Sequence, residues 1–420
     1  MKRIKIANII NNDYMLNTIS KLLTMLIGVL ASVFSIRFLG VENKGIYMYI
    51  LQASKIGIII FNLGVYQSYS YNYKNYGKDT LKKYSDVFFV QFMVCGILAC
   101  LVGAVSGEFT VIMIALLTPF SMIKTQYENI VLVENLRLNA FVRVFNQVLL
   151  TVCYAVLCFT VNSSVVYIVL ITVVVDIFTV VFYLMKLHYM PKIWQVDLVF
   201  LKQVLKFGFL PMLSLLLTRV NYSVDIFFLE HMGLSQDLGQ YSFATTIIDY
   251  VWMLPVAFKE VLFSKSAKKF DRINIAVSVK VSLSFIVCCF GGFALLGKPL
   301  ISLVYGGEFL PSYEIVLILI VGALPMTMYQ LLGTVLVSQG KRMAHFASLA
   351  VSAAINIAAN IYAIPLWGMY GAAWASVISY TVCGTVLTAY FCKTYSFGLK
   401  ELFLPSKNDV AKIKKLIKRK

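Results

Sequence analysis

The sequence predicts an all-α polytopic membrane protein of twelve transmembrane helices in two six-helix lobes, on three grounds. Composition is the first: 60% of the 420 residues are hydrophobic and 13% charged, against about 25% charged in soluble domains. The second is a recurrence of apolar stretches near the length of about 20 residues that a bilayer crossing requires. They lie near 17–37, 45–67, 85–105, 109–127, 139–161, 164–186, 207–230, 239–263, 274–296, 312–337, 343–365 and 370–392. The third is the crowding of lysine and arginine into alternate connections. With the N-terminus inside, the terminal arms and even-numbered connections hold Lys2, Lys5, Lys74, Lys78, Lys82, Lys83, Lys186, Lys192, Lys265, Lys268, Lys269, Arg272, Lys341 and Arg342. The other side has little beyond Arg37, Lys44 and Lys298. Short basic loops stay in the cytoplasm, so both termini are expected there.

The formal charge of +18 is then mostly a topology signal and an attraction to anionic lipid. A nucleic-acid partner, which requires a solvated basic face, is not expected. The longest outward connection, 297–311, is too small to fold alone, so function belongs within the membrane, and no catalytic residue is expected. Cys95, Cys100, Cys153, Cys158, Cys288, Cys289, Cys383 and Cys392 fall within or beside apolar segments and read as packing residues. Neither a disulfide framework nor zinc-type spacing is present, and the separated His188, His231 and His345 give no metal site. The first segment is longer than the apolar core of a signal peptide and opens a whole bundle, so it reads as a span.

A basic connection at 187–206 divides the chain into an N-lobe at 1–186 and a C-lobe at 207–392, with a basic cytoplasmic tail at 393–420. Many transporters consist of two related halves, and Gly45-Ile46-Tyr47 opening segment two echoes Gly239-Gln240-Tyr241 opening segment eight. In the connection, Val196, Leu198, Val199, Leu201, Val204 and Leu205 mix with Gln195, Lys202, Gln203 and Lys206, a pattern for an amphipathic surface helix. The stretch from Asp409 to Lys420 reads the same way.

Ionisable side chains inside spans are costly and face a bundle interior or a watery cavity. Lys21 lies in segment one, Lys55 in two, Asp176 in six, Arg219 and Asp225 in seven, Asp249 in eight and Lys280 in nine. Steps of three and four set several of them on polar stripes. These stripes add Asn17 in segment one, Gln52 and Asn62 in two, Thr218, Asn221 and Tyr222 in seven, and Thr245 in eight. The expected consequence is a cavity between the halves, lined by segments one, two, seven and eight. Ser348, Ser352, Asn356 and Asn360 form a further stripe in segment eleven, suited either to lining that cavity or to gluing helices together. Asp176 with Thr172, Thr179 and Tyr183 is either an ion relay or an interhelical hydrogen bond. Lys21 and Lys280 lie near the inner face, where snorkelling is the alternative to a site; Lys55 and Arg219 lie deeper. Aligning Gly45 with Gly239 matches Lys55 to Asp249, which offers an ion pair across the cavity.

Cationic lining suits an anionic ligand, because lysine and arginine hold phosphate oxygens by charge-assisted hydrogen bonds. In a bilayer the expected ligand is a phospholipid-like or polyprenyl-diphosphate headgroup. Asp176, Asp225 and Asp249 are candidates for binding a proton or sodium ion, and no other cofactor is expected. An exporter of cationic drugs would favour an acidic, aromatic cavity, and a membrane polymerase or glycosyltransferase a large or carboxylate-rich loop; neither pattern is present.

Arg37-Phe38-Leu39-Gly40 with Lys44-Gly45-Ile46-Tyr47 resembles a signature of bacterial polysaccharide repeat-unit exporters, with Lys44 where tyrosine is usual. Leu303-Val304-Tyr305-Gly306 with Phe309, the run from Asn221 to Asp225, and Trp367-Gly368-Met369-Tyr370-Gly371-Ala372-Ala373-Trp374-Ala375 resemble that family's other recurring pieces. The family is the Wzx-type O-antigen and capsule flippases, in the superfamily of the multidrug and toxic compound extruders and the lipid II flippases. The resemblance implies a MATE-like fold and alternating access in the bacterial inner membrane. It implies undecaprenyl-diphosphate-linked oligosaccharide as cargo, moved to the outer leaflet for a polysaccharide polymerase and its chain-length regulator. It further implies cationic cavity residues, which Lys21, Lys55 and Arg219 match by type and placement, and coupling to an ion gradient. The lipid II branch usually has two more helices than the segments counted here, which disfavours a peptidoglycan precursor.

Overall fold

The computed structural model describes residues 13–69, 72–73, 77, 79–192, 197–268 and 270–403. Its helices are α1 (Asp13–Asn62), α2 (Asp79–Ser106), α3 (Phe109–Glu134), α4 (Leu136–Thr160), α5 (Val165–Leu187) and α6 (Leu198–His231). There follow α7 (Ser235–Val251), α8 (Met253–Lys268), α9 (Arg272–Leu300), α10 (Ser312–Ser338), α11 (Arg342–Tyr395) and α12 (Leu399–Phe403). Among the described residues nine helices are long and apolar enough to cross a bilayer. Their outer faces agree: Val105, Phe159 and Leu295 are 88, 85 and 82% exposed, a surface that hydrocarbon accepts and water penalises.

Two of the nine helices contain a break that only glycine allows without strain. Gly40 in α1 has φ 68° and Gly368 in α11 has φ 52°, values costly for a side chain with Cβ. At Gly368 the chain reverses. Ser352 and Ser379 place their hydroxyls 2.8 Å apart, although 27 helical residues would span about 40 Å. Asp237 secures the turn by accepting the Met369 N–H at 3.0 Å. Segments eleven and twelve are thus the two arms of one hairpin, α11.

Segment eight differs from expectation, since α7 stops at Val251 and α8 starts at Met253. Pro255 explains the break: it has no N–H to give to the Val251 carbonyl, and its ring clashes with that group in a continuous helix. The expected surface helix of the connection also differs. From Leu198 it runs without interruption into segment seven as α6. Gln195, Val196 and the stretch from Asp409 to Lys420 lie outside the described residues, as do Lys2, Lys5, Lys74, Lys78 and Lys269.

The chain forms two compact units, 1–219 and 220–420, so the division falls inside α6. In the first unit an aromatic core joins Tyr69, Tyr84, Phe88, Tyr127 and Tyr183 to Phe200 and Val204 of α6. Gly64 and Gly208 bring two backbones into direct contact: a Cβ on Gly208 would lie 2.5 Å from the Gly64 carbonyl oxygen. Buried Asp86 holds the connection after α5, accepting Tyr189 Oη at 2.9 Å and the Lys192 N–H at 2.6 Å. Burial and then that bond push the Tyr189 phenol up to about 12. In the second unit α10 is the central helix. Of its apolar window 72% is buried, against 17% for the window beginning in α9, and it packs on α7, α8, α9 and α11.

Candidate functional site

Each unit contains a polar interior. In the second unit it is built where α6 meets the α11 hairpin and α7. Asp225, 1% exposed, accepts hydrogen bonds from Tyr241 Oη of α7, from Ser376 Oγ at 3.0 Å and from the Ile226 N–H at 3.2 Å. One turn earlier, Asn221 Oδ1 accepts from Ser352 at 3.2 Å and Ser379 at 2.9 Å, one hydroxyl from each arm of the hairpin. Asn356 Nδ2 donates to the Asn221 carbonyl at 2.8 Å, and Asn360 Nδ2 to Asn356 Oδ1 at 2.7 Å. Asn221, Ser352, Asn356, Asn360, Ser376 and Ser379 are all 0% exposed. Asn221 Nδ2 and Asn360 Oδ1 have no partner among the described residues.

Asp225 is surrounded by neutral donors, and no ion pair to it occurs among the described residues. Burying a bare carboxylate is expensive. A group so placed is stable when protonated or when a hard cation joins the surrounding hydroxyl and amide oxygens. Beside it, the rings of Tyr222, Trp252 and Tyr380 lie 5.4 to 6.0 Å apart, and Gln330 Nε2 donates to Tyr222 Oη at 3.1 Å.

The first unit's polar interior is ionic. Asp176 on α5, 2% exposed, receives Lys124 Nζ of α3 at 2.9 Å and Ser121 Oγ at 2.5 Å. Lys124 also reaches Glu128 at 3.8 Å. Past the α3–α4 turn, Asn139 Nδ2 donates to the Glu128 carbonyl at 3.0 Å, and Arg143 donates to Asn139 Oδ1 at 2.5 Å and Asn17 Oδ1 at 3.4 Å. Asn146 Nδ2 donates to Thr179 at 2.8 Å. A chain of charges and amides thus joins α1, α3, α4 and α5.

The residues singled out in the sequence divide accordingly. Asn221, expected to line a cavity, is instead buried, and Asn356 and Asn360, for which helix gluing was one of the two readings, join α6 to the hairpin with it. Asn62 is likewise 0% exposed, and its carbonyl accepts from Gln91 at 3.1 Å. Thr218 and Thr245 spend their hydroxyls on the Ser214 and Ser242 carbonyls at 2.8 and 3.0 Å. Gln52 donates to Met48 Sδ at 3.5 Å. Lys21, Lys55 and Arg219 are half-buried and Asp249 is exposed. Lys280 lines a groove made by α9, α10, α11 and α12, none of which belongs to the four segments expected to form the cavity. Lys124 and Arg143 were missed. Lys124 lies near the expected inner end of segment four, where a lysine reads as interfacial, and its partner Asp176 is distant in sequence. Position along the segments gave no signal for the pair, since Lys124 lies three residues from the expected inner end of segment four and Asp176 ten residues from that of segment six.

Two units of packed spanning helices, with glycine-broken double helices and a buried carboxylate, define the class as a polytopic helical membrane fold. Comparison of structures then specifies which. The chain has the fold of lipid II flippase MurJ in an inward closed conformation: TM-score 0.71, 15% identity, 92% of this chain and 89% of that one. It is similar to an inward-facing multidrug resistance MATE family transporter of the MOP superfamily, with TM-score 0.66, 13% identity and coverage of 90% and 98%. A MOP superfamily transporter from Pyrococcus furiosus, described as having a binding pocket of reversed polarity, matches with TM-score 0.59, 12% identity and coverage of 91% and 95%. No family model and no curated protein sequence matches the chain.

Proposed function

We propose that the protein is a flippase of polysaccharide biosynthesis. It carries undecaprenyl-diphosphate-linked oligosaccharide from the inner to the outer leaflet of the bacterial cytoplasmic membrane by alternating access, and supplies a polysaccharide polymerase. The observation that carries this reading is the presence of half-buried cations, Lys55 in α1 and Arg219 in α6, inside apolar helices of a fold shared with a lipid II flippase. Arginine and lysine in a low-dielectric setting engage a diphosphate strongly, whereas a carrier of cationic drugs gains nothing from them. Twelve crossings belong to this reading: nine long helices, the glycine breaks in α1 and α11 adding two, and α7 with α8 making one.

Asp225 is the coupling residue. Proton or sodium binding neutralises it, and a bound ion shifts the two access states only by its difference in affinity for them. Asp176, already paired with Lys124, is a structural group under this reading.

The test uses a host that lacks the protein and has an active glycan pathway. Lipid-linked repeat units accumulate in its membranes; the wild type clears them, and Lys55→Ala and Arg219→Ala, though present and folded, do not. Absence of accumulation in the deleted host would overturn the flippase assignment in favour of a small-molecule antiporter of the same fold.

A further inference from the structure

The second unit carries a groove of about 980 Å³ walled by α9, α10, the second arm of α11 and α12. It is at the upper end of the roughly 300 to 1,000 Å³ usual for ligand pockets. Its wall is apolar along Leu283, Val287, Leu324 and Pro325, and Lys280, Ser284, Thr385 and Thr388 interrupt it, of which Lys280 and Thr388 bear on what it holds. These two sit at one level. Arg272, at the start of α9, donates to the Tyr395 carbonyl, at the end of α11, at 3.1 Å. Lys280 is eight residues on from Arg272 and Thr388 seven residues back from Tyr395, so both lie about 10 to 12 Å from that shared end.

Thr388 Oγ1 is the second observation that points to a ligand. Thr381 and Thr385, on the same arm, return their hydroxyls to the carbonyl four residues earlier, each at 2.7 Å. Thr388 is 8% exposed, yet its hydroxyl has no partner among the described residues. A buried donor left unmade is costly, and an ester or phosphate oxygen in the groove would accept from it.

Charge completes the pattern. The groove's polar end adjoins Arg272, Lys341 and Lys400. Arg272 pairs with Glu401 at 2.9 Å, Asp271 beside it is taken up in capping the helix through Asn274, and Lys341 Nζ lies 5.2 Å from the Tyr395 ring. Basic pockets between spanning helices are general binding sites for acidic lipid headgroups.

We propose that this groove holds one anionic glycerophospholipid, with its phosphate at Lys280, an ester oxygen at Thr388 and an acyl chain along Leu283, Val287 and Leu324. The lipid is a resident of the second unit and distinct from the cargo, because none of the groove's walls belongs to α1 or α6, which carry Lys55 and Arg219. It fills the wall beside α10 and satisfies the Thr388 hydroxyl.

The full-length protein, purified in detergent and stripped of lipid, is titrated with phosphatidylglycerol and phosphatidylethanolamine while bound lipid is counted by native mass spectrometry. One phosphatidylglycerol should bind about fivefold to tenfold more tightly than phosphatidylethanolamine. Lys280→Ala should lose that preference and Lys280→Arg should keep it. Thr388→Val should weaken binding of both lipids by about fivefold, and Ser284→Trp, which fills the groove from an exposed position, should abolish retention. Size-exclusion profiles establish that each variant is folded. Equal binding of the two lipids, or wild-type retention by Lys280→Ala and Ser284→Trp, overturns the proposal. Retention of undecaprenyl phosphate in place of phosphatidylglycerol also overturns it and returns the groove to the cargo. None of these outcomes depends on whether repeat units are transported.

Discussion

The two units solve the same problem, polar groups inside a helix bundle, in opposite ways. The first compensates a buried carboxylate with a full cation: Asp176 meets Lys124 at 2.9 Å, and the network runs on through Glu128, Asn139 and Arg143. Among the described residues the second gives Asp225 two hydroxyls and a backbone N–H. The difference teaches where the molecule is responsive. Asp176 already has its cation, Lys124, 2.9 Å away. Asp225 is held by neutral donors alone among the described residues, so an added cation there would meet a buried carboxylate that has no ion-pair partner to displace.

The strongest way to break the comparison is to unpair the first unit. Lys124→Met should destabilise the protein by about 3 to 5 kcal/mol, because Asp176 is left charged and buried. Adding Asp176→Asn should recover a large part of that loss. Thermal unfolding of the detergent-solubilised protein measures both. If Lys124→Met costs no more than a surface change, the pair is not what holds α3 to α5.

Next in size is the neutral network. Asn356→Ala removes the donor to Asn221 and the acceptor of Asn360, and should cost about 1 to 3 kcal/mol. The same unfolding measurement should show Asn221→Ala to be nearly additive with it, since that change removes the acceptor of Ser352 and Ser379 but keeps the backbone carbonyl that Asn356 uses. Asp225→Asn should be milder still, within about 1 kcal/mol, while it abolishes the dependence of transport on an ion gradient. An equal loss of stability in Asp176→Asn and Asp225→Asn would erase the distinction between the units.

The smallest effect concerns pH. The Arg272 guanidinium, hydrogen-bonded to Glu401, holds that carboxyl below its ordinary value. A depressed folded value stabilises the protein above the unfolded value and loses that stability as pH falls through the folded one. Both side chains are about 40% exposed, so the contribution is under about 1 kcal/mol. Glu401→Gln should flatten acid-side stability slightly and leave neutral-pH transport unchanged.

Much of this architecture is legible in hydropathy, because an apolar run of spanning length has few alternatives. The expected segments at 85–105 and 109–127 fall within α2 and α3, and those at 139–161 and 164–186 match α4 and α5 with one residue beyond each helix. The polar stripes were also legible, but their direction was not. Asn356 and Asn360 occupy one helix face by spacing alone, and whether that face meets water or Ser379 depends on the partner helix. Pro255 was a local signal for the break in segment eight, overlooked because the apolar run continues through it. Lys124 stayed hidden for another reason: a lysine near a span's end looks interfacial until its acidic partner, far along the chain, is packed beside it.

The most direct measurement is flipping of undecaprenyl-diphosphate-linked oligosaccharide in proteoliposomes under an imposed proton or sodium gradient, comparing wild type with Asp225→Asn and Lys55→Ala. Gradient-dependent flipping by the wild type, gradient-independent behaviour of Asp225→Asn and no flipping by Lys55→Ala are expected. Absence of flipping by a folded wild type under either gradient, or an unaltered gradient response in Asp225→Asn, would contradict these expectations.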